Sequence, residues 1–278
     1  MREMALKEIQ QVSLDILKDV HQFCINNGIH YSLCYGTLLG AIRHNGFIPW
    51  DDDIDIMMPR PDYDRFVNTY KSEIGYLLFA AEKNDGRTKV SVAFARVCEM
   101  RKTYVDTGVG PWINKKTGVW IDVFPIDGAP DNVKDVKIKR TQINKLMRLM
   151  SIARVRNGYQ KIYRANNFKL QLKVYCKYLL SFFVRSDIVN KYINLCKEIA
   201  YNETNYVCNY SLTTYKDKDL HSIGIMNSYL LHQFENECFF IISGYHEYLT
   251  NIYGDYMQLP PVEKRLTGHD FNTFYFLS

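Results

Sequence analysis

Ile9, Val12, Ile16, Val20 and Phe23 recur at three- and four-residue intervals, so residues 3 to 27 are predicted to form one long amphipathic helix that Gly28 stops. Residues 30 to 35 are predicted as a strand, Gly36-Thr37 as a turn and residues 38 to 44 as a short helix, which Asn45-Gly46 breaks. Asp53-Ile54-Asp55-Ile56 then alternates charged and apolar side chains with the period of a half-buried strand, putting both aspartates on one side. Pro61 suits the first turn of a helix near residues 61 to 74, and residues 90 to 97 and 119 to 124 are predicted as further strands.

The turn-rich run from Asp127 to Asn132 marks a subdomain boundary, after which the chain is predicted to be mostly helical. The expected organisation is a core in residues 1–132, a basic helical lobe in 133–200 and a C-terminal segment, 201–278, completing the core. The fold class is α+β (mixed α/β): a small mixed sheet with flanking helices and a largely helical insertion or second lobe.

Composition changes this picture in one respect. Net charge is +5 over 278 residues, yet residues 134 to 185 hold fourteen Lys or Arg against the single acid Asp135. Such a segment is a solvated helix face or an attractor of anionic polymers, nucleotides or lipid surfaces. Residues 174 to 184 are too short to cross a bilayer and are expected as a buried helix or, given the basic residues around them, as one lying in a membrane surface. Seven scattered cysteines without a C-x-x-C pair argue against a disulfide framework or a zinc site. The start of the chain lacks an apolar signal core, and the expected location is a reducing cytoplasm, with peripheral contact at the inner face of the membrane through the basic lobe.

The chemistry is carried by Trp50-Asp51-Asp52-Asp53-Ile54-Asp55, four carboxylates in five positions. Like charges this close raise one another's pKa values unless protons or cations compensate. Oxygen ligands on a stiff strand suit magnesium, with manganese as the alternative, and magnesium fills its remaining positions with water and substrate phosphate. Asp53 and Asp55, two apart on a strand, have α-carbons about 6.7 Å apart and can share a metal or flank a pair. Asp122, set between apolar residues in Trp120-Ile121-Asp122-Val123-Phe124, is the expected third ligand from a neighbouring strand. A calcium loop fits Asp51, Asp53 and Asp55 at its first, third and fifth positions, but Ile56 stands where the loop needs its turn glycine. Gly36-Thr37 can bind phosphate where a strand ends and a helix opens.

Tyr35-Gly36-Thr37-Leu38-Leu39-Gly40-Ala41-Ile42-Arg43-His44, followed by Gly46-Phe47-Ile48-Pro49-Trp50-Asp51-Asp52-Asp53-Ile54-Asp55, resembles the LicD family, whose relatives include the fukutin-type enzymes. The resemblance continues through residues 120 to 128 and recurs in Tyr253-Gly254-Asp255-Tyr256-Met257-Gln258-Leu259-Pro260-Pro261, while residues 133 to 230 show no matching pattern. It implies a nucleotidyltransferase-type fold with an Asp-x-Asp strand and a third acid on the next strand. It also implies a transferase that moves a phosphoalcohol from a CDP-activated donor (CDP-choline, CDP-ribitol or CDP-glycerol) to a glycan or lipid-linked glycan, with CMP leaving. By position, Asp53, Asp55 and Asp122 become metal ligands, Asp51 an accessory acid, and Gly36 and Thr37 the phosphate-side turn.

Further candidates are cations near a leaving nucleotide: Arg43 and Arg96 first, then Lys89, Lys264 and Arg265, with His44 and His269 as polar candidates. Trp50 and Trp120 are expected to pack behind the ligand strands, with base stacking or a quaternary ammonium contact as the alternative. Asp122 is the candidate either for a second ion or for the acceptor's proton. No nucleic-acid partner is expected. Two rival readings remain at this point: transfer of the nucleotide itself to a small molecule, and a non-catalytic scaffold binding glycan or membrane through the basic lobe.

Overall fold

The structure is a computed structural model that describes residues 1–83, 93–106, 117–155, 168–184, 187–265 and 273–277. A short strand β1 (Arg2–Glu3) precedes helix α1 (Leu6–Asn27), whose buried residues Ile9, Leu14, Ile16, Leu17 and Val20 form its core-facing stripe. Gly28 ends α1 with φ 58°, a left-handed conformation that glycine adopts without a Cβ penalty, as the sequence predicted. Next come β2 (Ser32–Leu33), α2 (Tyr35–His44), β3 (Asp55–Pro59) and α3 (Arg60–Thr69), the last carrying Pro61 in its first turn.

Strands β4 (Leu77–Phe79), β5 (Ala95–Glu99), β6 (Thr103–Asp106) and β7 (Val119–Ala129) follow. The main sheet has the order β2-β3-β7-β5-β4, with β3 and β7 parallel and the other neighbours antiparallel. Every residue of β7 is buried, the mark of a central strand covered on both faces. Helix α1 packs against β7 and β5, and α3 against β3 and β7.

Several sequence-derived boundaries shift, and the strand expected over residues 30 to 35 shortens to β2. Strand β5 begins at Ala95, and residues 90 to 92 of the predicted strand lie outside the described residues. Helix α3 ends at Thr69 rather than near residue 74. The Asp127–Asn132 run is not all turn: β7 continues to Ala129, because Asp127, Gly128 and Ala129 pair with Cys208, Val207 and Tyr206 of β8 (below). Gly128 suits this crossing, since a Cβ there would stand 2.6 Å from the Ile199 carbonyl oxygen.

Beyond β7 come α4 (Val133–Val155), α5 (Phe168–Ser181) and α6 (Ile188–Cys196), with α5 and α6 both packed on α4. The expectation of a mostly helical remainder then fails. Strands β8 (Tyr206–Cys208), β9 (Leu220–Ser222), β10 (Tyr229–Phe234) and β11 (Glu237–Ile242) follow, before α7 (Tyr245–Tyr253) and β12 (Thr273–Phe276). Strands β10 and β11 form a hairpin, and β12 lies between β1 and β6 in a second small sheet.

A second, smaller core joins Ala129, Val136, Ile143, Tyr192, Cys196 and Cys208 beneath the helical lobe. At its margin the buried Arg60 guanidinium grips Asp127 through two hydrogen bonds of 2.6 and 2.8 Å. Burial alone would lower the Arg60 pKa, but Asp127 outweighs it and holds the pKa well above the ordinary value. Among the described residues, no helix is long and apolar enough to cross a membrane.

Candidate active site

Asp55 opens β3 and is the register partner of Asp122 on parallel β7, while Arg96 on antiparallel β5 is the register partner of Asp122 on the other side. With neighbouring strands about 4.8 Å apart, the three side chains form one row across the middle of the sheet. The Arg96 Nε donates to Asp122 Oδ1 at 2.5 Å and its Nη2 to Oδ2 at 3.2 Å. The guanidinium also lies 4.2 Å from the centre of the Trp120 ring and 5.6 Å from that of Phe94. Arg96, read from the sequence as a cation for the leaving nucleotide, is thus buried beside Asp122.

Asp53 precedes β3, which begins two residues later than the alternation suggested. The pattern of exposure still follows that alternation: Asp51, Asp53 and Asp55 are partly exposed, and Ile54 and Ile56 are buried. Asp51, Asp52 and Asp53 each turn a carboxylate oxygen to within 4.8 Å of the other two. Asp52 received no role from the sequence; it is 7% exposed and belongs to this cluster. Burial, followed by the charges of Asp53, Asp122 and Asp51, raises the Asp55 carboxyl pKa well above the usual range, against the opposing pull of Arg96.

Helix α2 begins at Tyr35, so Gly36 and Thr37 form its first turn instead of a turn before it. The Thr37 hydroxyl accepts the Asp55 backbone N–H at 2.8 Å, tying the helix start to the head of β3. A Cβ on Gly36 would lie 2.8 Å from Asp51 Oδ2, so glycine lets this carboxylate come close to the helix N-terminus. Unpaired N–H groups and the helix dipole there favour anionic oxygen. From the other side, Gln10 of α1 donates to the Asp51 carbonyl at 2.7 Å and steadies the acidic loop.

Tyr35 itself has φ 45°, a left-handed conformation costly for a residue with a Cβ. Its buried hydroxyl donates to Asp219 at 2.9 Å, accepts from Asn209 at 2.8 Å, and its ring stacks on Tyr215 with centroids 4.9 Å apart. His221 approaches the same Asp219 carboxylate at 3.7 Å. Sequence reasoning missed this support: Asn209, Asp219 and His221 are single polar residues without a periodic or motif context, and only the fold brings them to Tyr35.

Arg43, on the last turn of α2, donates from Nη1 to the carbonyls of Tyr256 at 2.9 Å and Gln258 at 3.3 Å, and from Nε to His44 at 3.0 Å. It therefore anchors the 256–258 segment of the C-terminal motif to the end of α2. Trp50 is flanked by His44, ring centroids 6.3 Å apart, and by the Arg265 guanidinium at 5.5 Å. Arg43, Trp50, Tyr253, Asp255, Gln258 and Arg265 help line an open cavity of about 630 Å³. Lys264 lies in a short 3-10 turn behind it, and Trp120 packs against Phe274. Lys89 and His269 lie outside the described residues.

A mixed sheet carries adjacent acids beside a glycine-bearing helix start, within a stretch that matches a nucleotidyltransferase domain. The family model described as LicD/FKTN/FKRP, nucleotidyltransferase domain, matches residues 28–150. The lipopolysaccharide cholinephosphotransferase LicD of Haemophilus influenzae is 32% identical over 273 residues, spanning 97% of each chain. Shorter matches link the chain to uncharacterized proteins of Rickettsia typhi (40% over 75 residues, 26% of this chain and 24% of that one) and Rickettsia prowazekii (49% over 47 residues, 17% and 18%). The chain belongs to the LicD family.

Proposed function

We propose that this protein is a transferase that moves a phosphoalcohol, such as phosphocholine, glycerol phosphate or ribitol phosphate, from a CDP-activated donor to a hydroxyl of a cell-surface glycan, releasing CMP. The whole-length likeness to a lipopolysaccharide cholinephosphotransferase supports phosphoalcohol transfer to a glycan. The observation that carries the reading is the register pairing of Asp55 with Asp122 beside the Asp51–Asp53 cluster, at a helix N-terminus suited to phosphate.

The donor set consists of carboxylate oxygens, and burial together with their mutual charge lifts the Asp55 pKa, which fits a hard divalent cation, magnesium or manganese. Among the described residues the carboxylates that converge within 4.8 Å are those of Asp51, Asp52 and Asp53; in this reading Asp53 of that cluster would hold the ion together with the register pair Asp55 and Asp122, with Asp51 as an accessory ligand. Asp122 has lone pairs beyond those Arg96 uses, since an ionised carboxylate offers about four acceptor sites. When bound, such an ion supplies neutralisation of charge on the donor diphosphate.

The chain's own residues do the rest. Gly36 and Thr37 present first-turn N–H groups to phosphate oxygen, and the Thr37 hydroxyl keeps the Asp55 backbone in place. Arg43 holds the 256–258 segment as one wall of an open cavity that Trp50, next in sequence to Asp51, also lines, and part of the donor or acceptor would extend into it. The acceptor oxygen bonds to the phosphorus carrying the alcohol as the bond from that phosphorus to the CMP oxygen breaks. The proton of the acceptor hydroxyl passes to a carboxylate of the Asp51–Asp53 cluster, because Asp122, ion-paired with Arg96, serves as a ligand in this reading.

Purified protein incubated with magnesium, a glycan acceptor and CDP-choline, CDP-glycerol or CDP-ribitol in turn is expected to release CMP with one of them. The acceptor should gain the mass of the phosphoalcohol. Pyrophosphate release from CTP, with no CMP from any CDP-alcohol, would show nucleotide transfer instead and overturn the reading.

A further inference from the structure

Helix α5 has a mixed inward face and an outward face that is largely apolar. Gln171, Val174, Tyr178 and Ser181, at three- and four-residue spacing, turn toward the protein and are buried or partly buried. Outward, Leu172 is 53% exposed, Leu179 46%, Leu180 53% and Phe183, in the turn that follows, 86%. Leu172, Leu179 and Phe183 stand seven and four residues apart, which places them along one line of the helix. The turn continues this surface through hydrogen bonds from Phe182 N to the Leu179 carbonyl and from Phe183 N to the Leu180 carbonyl. Between residues 172 and 183, Lys173 is the one charged residue among those classed as exposed. A surface helix of a water-facing protein is expected to carry polar residues there.

The surrounding charge identifies what suits this surface. Lys173 and Lys177 lie on α5 itself, and residues 134 to 185 hold fourteen Lys or Arg against one acid. A second copy of the chain would bring an equally basic segment against the first, and like charges oppose that contact. An anionic lipid surface offers both complements: hydrocarbon for the leucines and Phe183, and negative headgroups for the lysines and arginines. The fourteen residues of α5 are too few to span about 30 Å of hydrocarbon, so the helix must lie in the plane of the interface.

We infer that α5 and the turn after it form an in-plane membrane-docking surface for an anionic bilayer, with Leu172, Leu179, Leu180 and Phe183 as the inserted side chains. This goes beyond the transferase reading, because docking is measured without turnover and stands or falls on its own. It gives the enzyme a place to meet an acceptor that is itself anchored in lipid.

The test is co-sedimentation of the full chain with vesicles of phosphatidylglycerol and phosphatidylcholine, against vesicles of phosphatidylcholine alone. Binding is expected to the anionic vesicles, to weaken with rising salt, and to fall by roughly a hundredfold in the Leu180→Glu/Phe183→Glu variant. That variant should keep the wild-type circular dichroism and CMP release with a soluble acceptor. If it misfolds, Leu172→Glu with Lys173→Glu reads the same surface. No binding to anionic vesicles, or equal binding by wild type and folded variants, would overturn the inference. So would wild-type dimerisation in sedimentation velocity that the variants abolish, with no vesicle binding, since a second copy would then be the occupant.

Discussion

Asp55 and Asp122 stand side by side on parallel strands, and the Arg96 guanidinium closes on Asp122 from the strand beyond. The Arg96 guanidinium is ion-paired with Asp122 and its charge also acts on Asp55, with Asp51, Asp52 and Asp53 adding negative charge nearby. Replacing Arg96 with Gln is expected to lower stability by about 3 kcal/mol, because a buried carboxylate loses its ion partner. Added magnesium should raise the melting temperature of this variant more than that of the wild type. Melting curves with magnesium and with EDTA check this, and equal shifts for the two proteins would count against a cation among these acids.

Gly36 separates catalysis from stability. The atom that its Cβ would meet is the end of the Asp51 side chain, which can move aside without disturbing the backbone. Alanine also favours helix over glycine by about 1 kcal/mol. Gly36→Ala is therefore expected to melt at or above the wild-type temperature while turnover falls about tenfold or more through misplaced Asp51. Wild-type turnover in the folded variant would show that the approach of Asp51 to the helix start has no part in the reaction.

The Tyr35–Asp219 hydrogen bond holds the helix start in its left-handed turn. Tyr35→Phe leaves the buried Asp219 and Asn209 without their shared hydroxyl, a loss of about 1–3 kcal/mol. Asp219→Asn keeps an oxygen that can accept from Tyr35 and should be milder. Urea unfolding of both variants gives the order, and turnover should fall in Tyr35→Phe with little change in donor KM. The reverse order of stability would mean that the Asp219 charge, not the tether, is what matters.

His21 makes stability depend on pH. Its Nδ1 lies 2.6 Å from the buried Tyr31 hydroxyl, and burial lowers its pKa from the ordinary histidine value, against a small opposing effect from Glu237. The unfolded chain then binds the proton more readily than the folded one. Stability is accordingly full above the unfolded-state pKa near 6.5 and declines as pH falls through that value toward the folded pKa. Melting temperatures between pH 7.5 and 5 (about the range in which histidine titrates) should fall less steeply in His21→Leu than in the wild type. Parallel profiles would assign the acid sensitivity to other groups.

Much of this architecture is legible in the chain. The stripe of α1 and its glycine stop are visible because a long amphipathic period repeats through one element. The alternation around Asp53 and Asp55 likewise foreshadows β3, and the apolar setting of Asp122 foreshadows a central strand. What is not legible depends on distant partners. Helix α2 starts at Tyr35 because that residue is held by Asp219, 184 positions away, and β7 runs on to Ala129 because three residues of β8 pair with it. Arg96 looks like a free cation in one dimension and becomes the partner of Asp122 only when β5 is laid beside β7. Strand alternation would point Asp52 away from Asp51 and Asp53, whereas the loop before β3 lets all three carboxylates converge.

The central claim is that the acids of this cleft hold a divalent cation for transfer from a CDP-alcohol. The most direct test is CMP release as magnesium is titrated, for the wild type and for Asp55→Asn. The account predicts saturable magnesium dependence in the wild type, none of the activity in EDTA, and a loss of at least about a hundredfold in the variant at every magnesium concentration. Turnover by Asp55→Asn within a few-fold of wild type, or wild-type release that persists unchanged in EDTA, would contradict it.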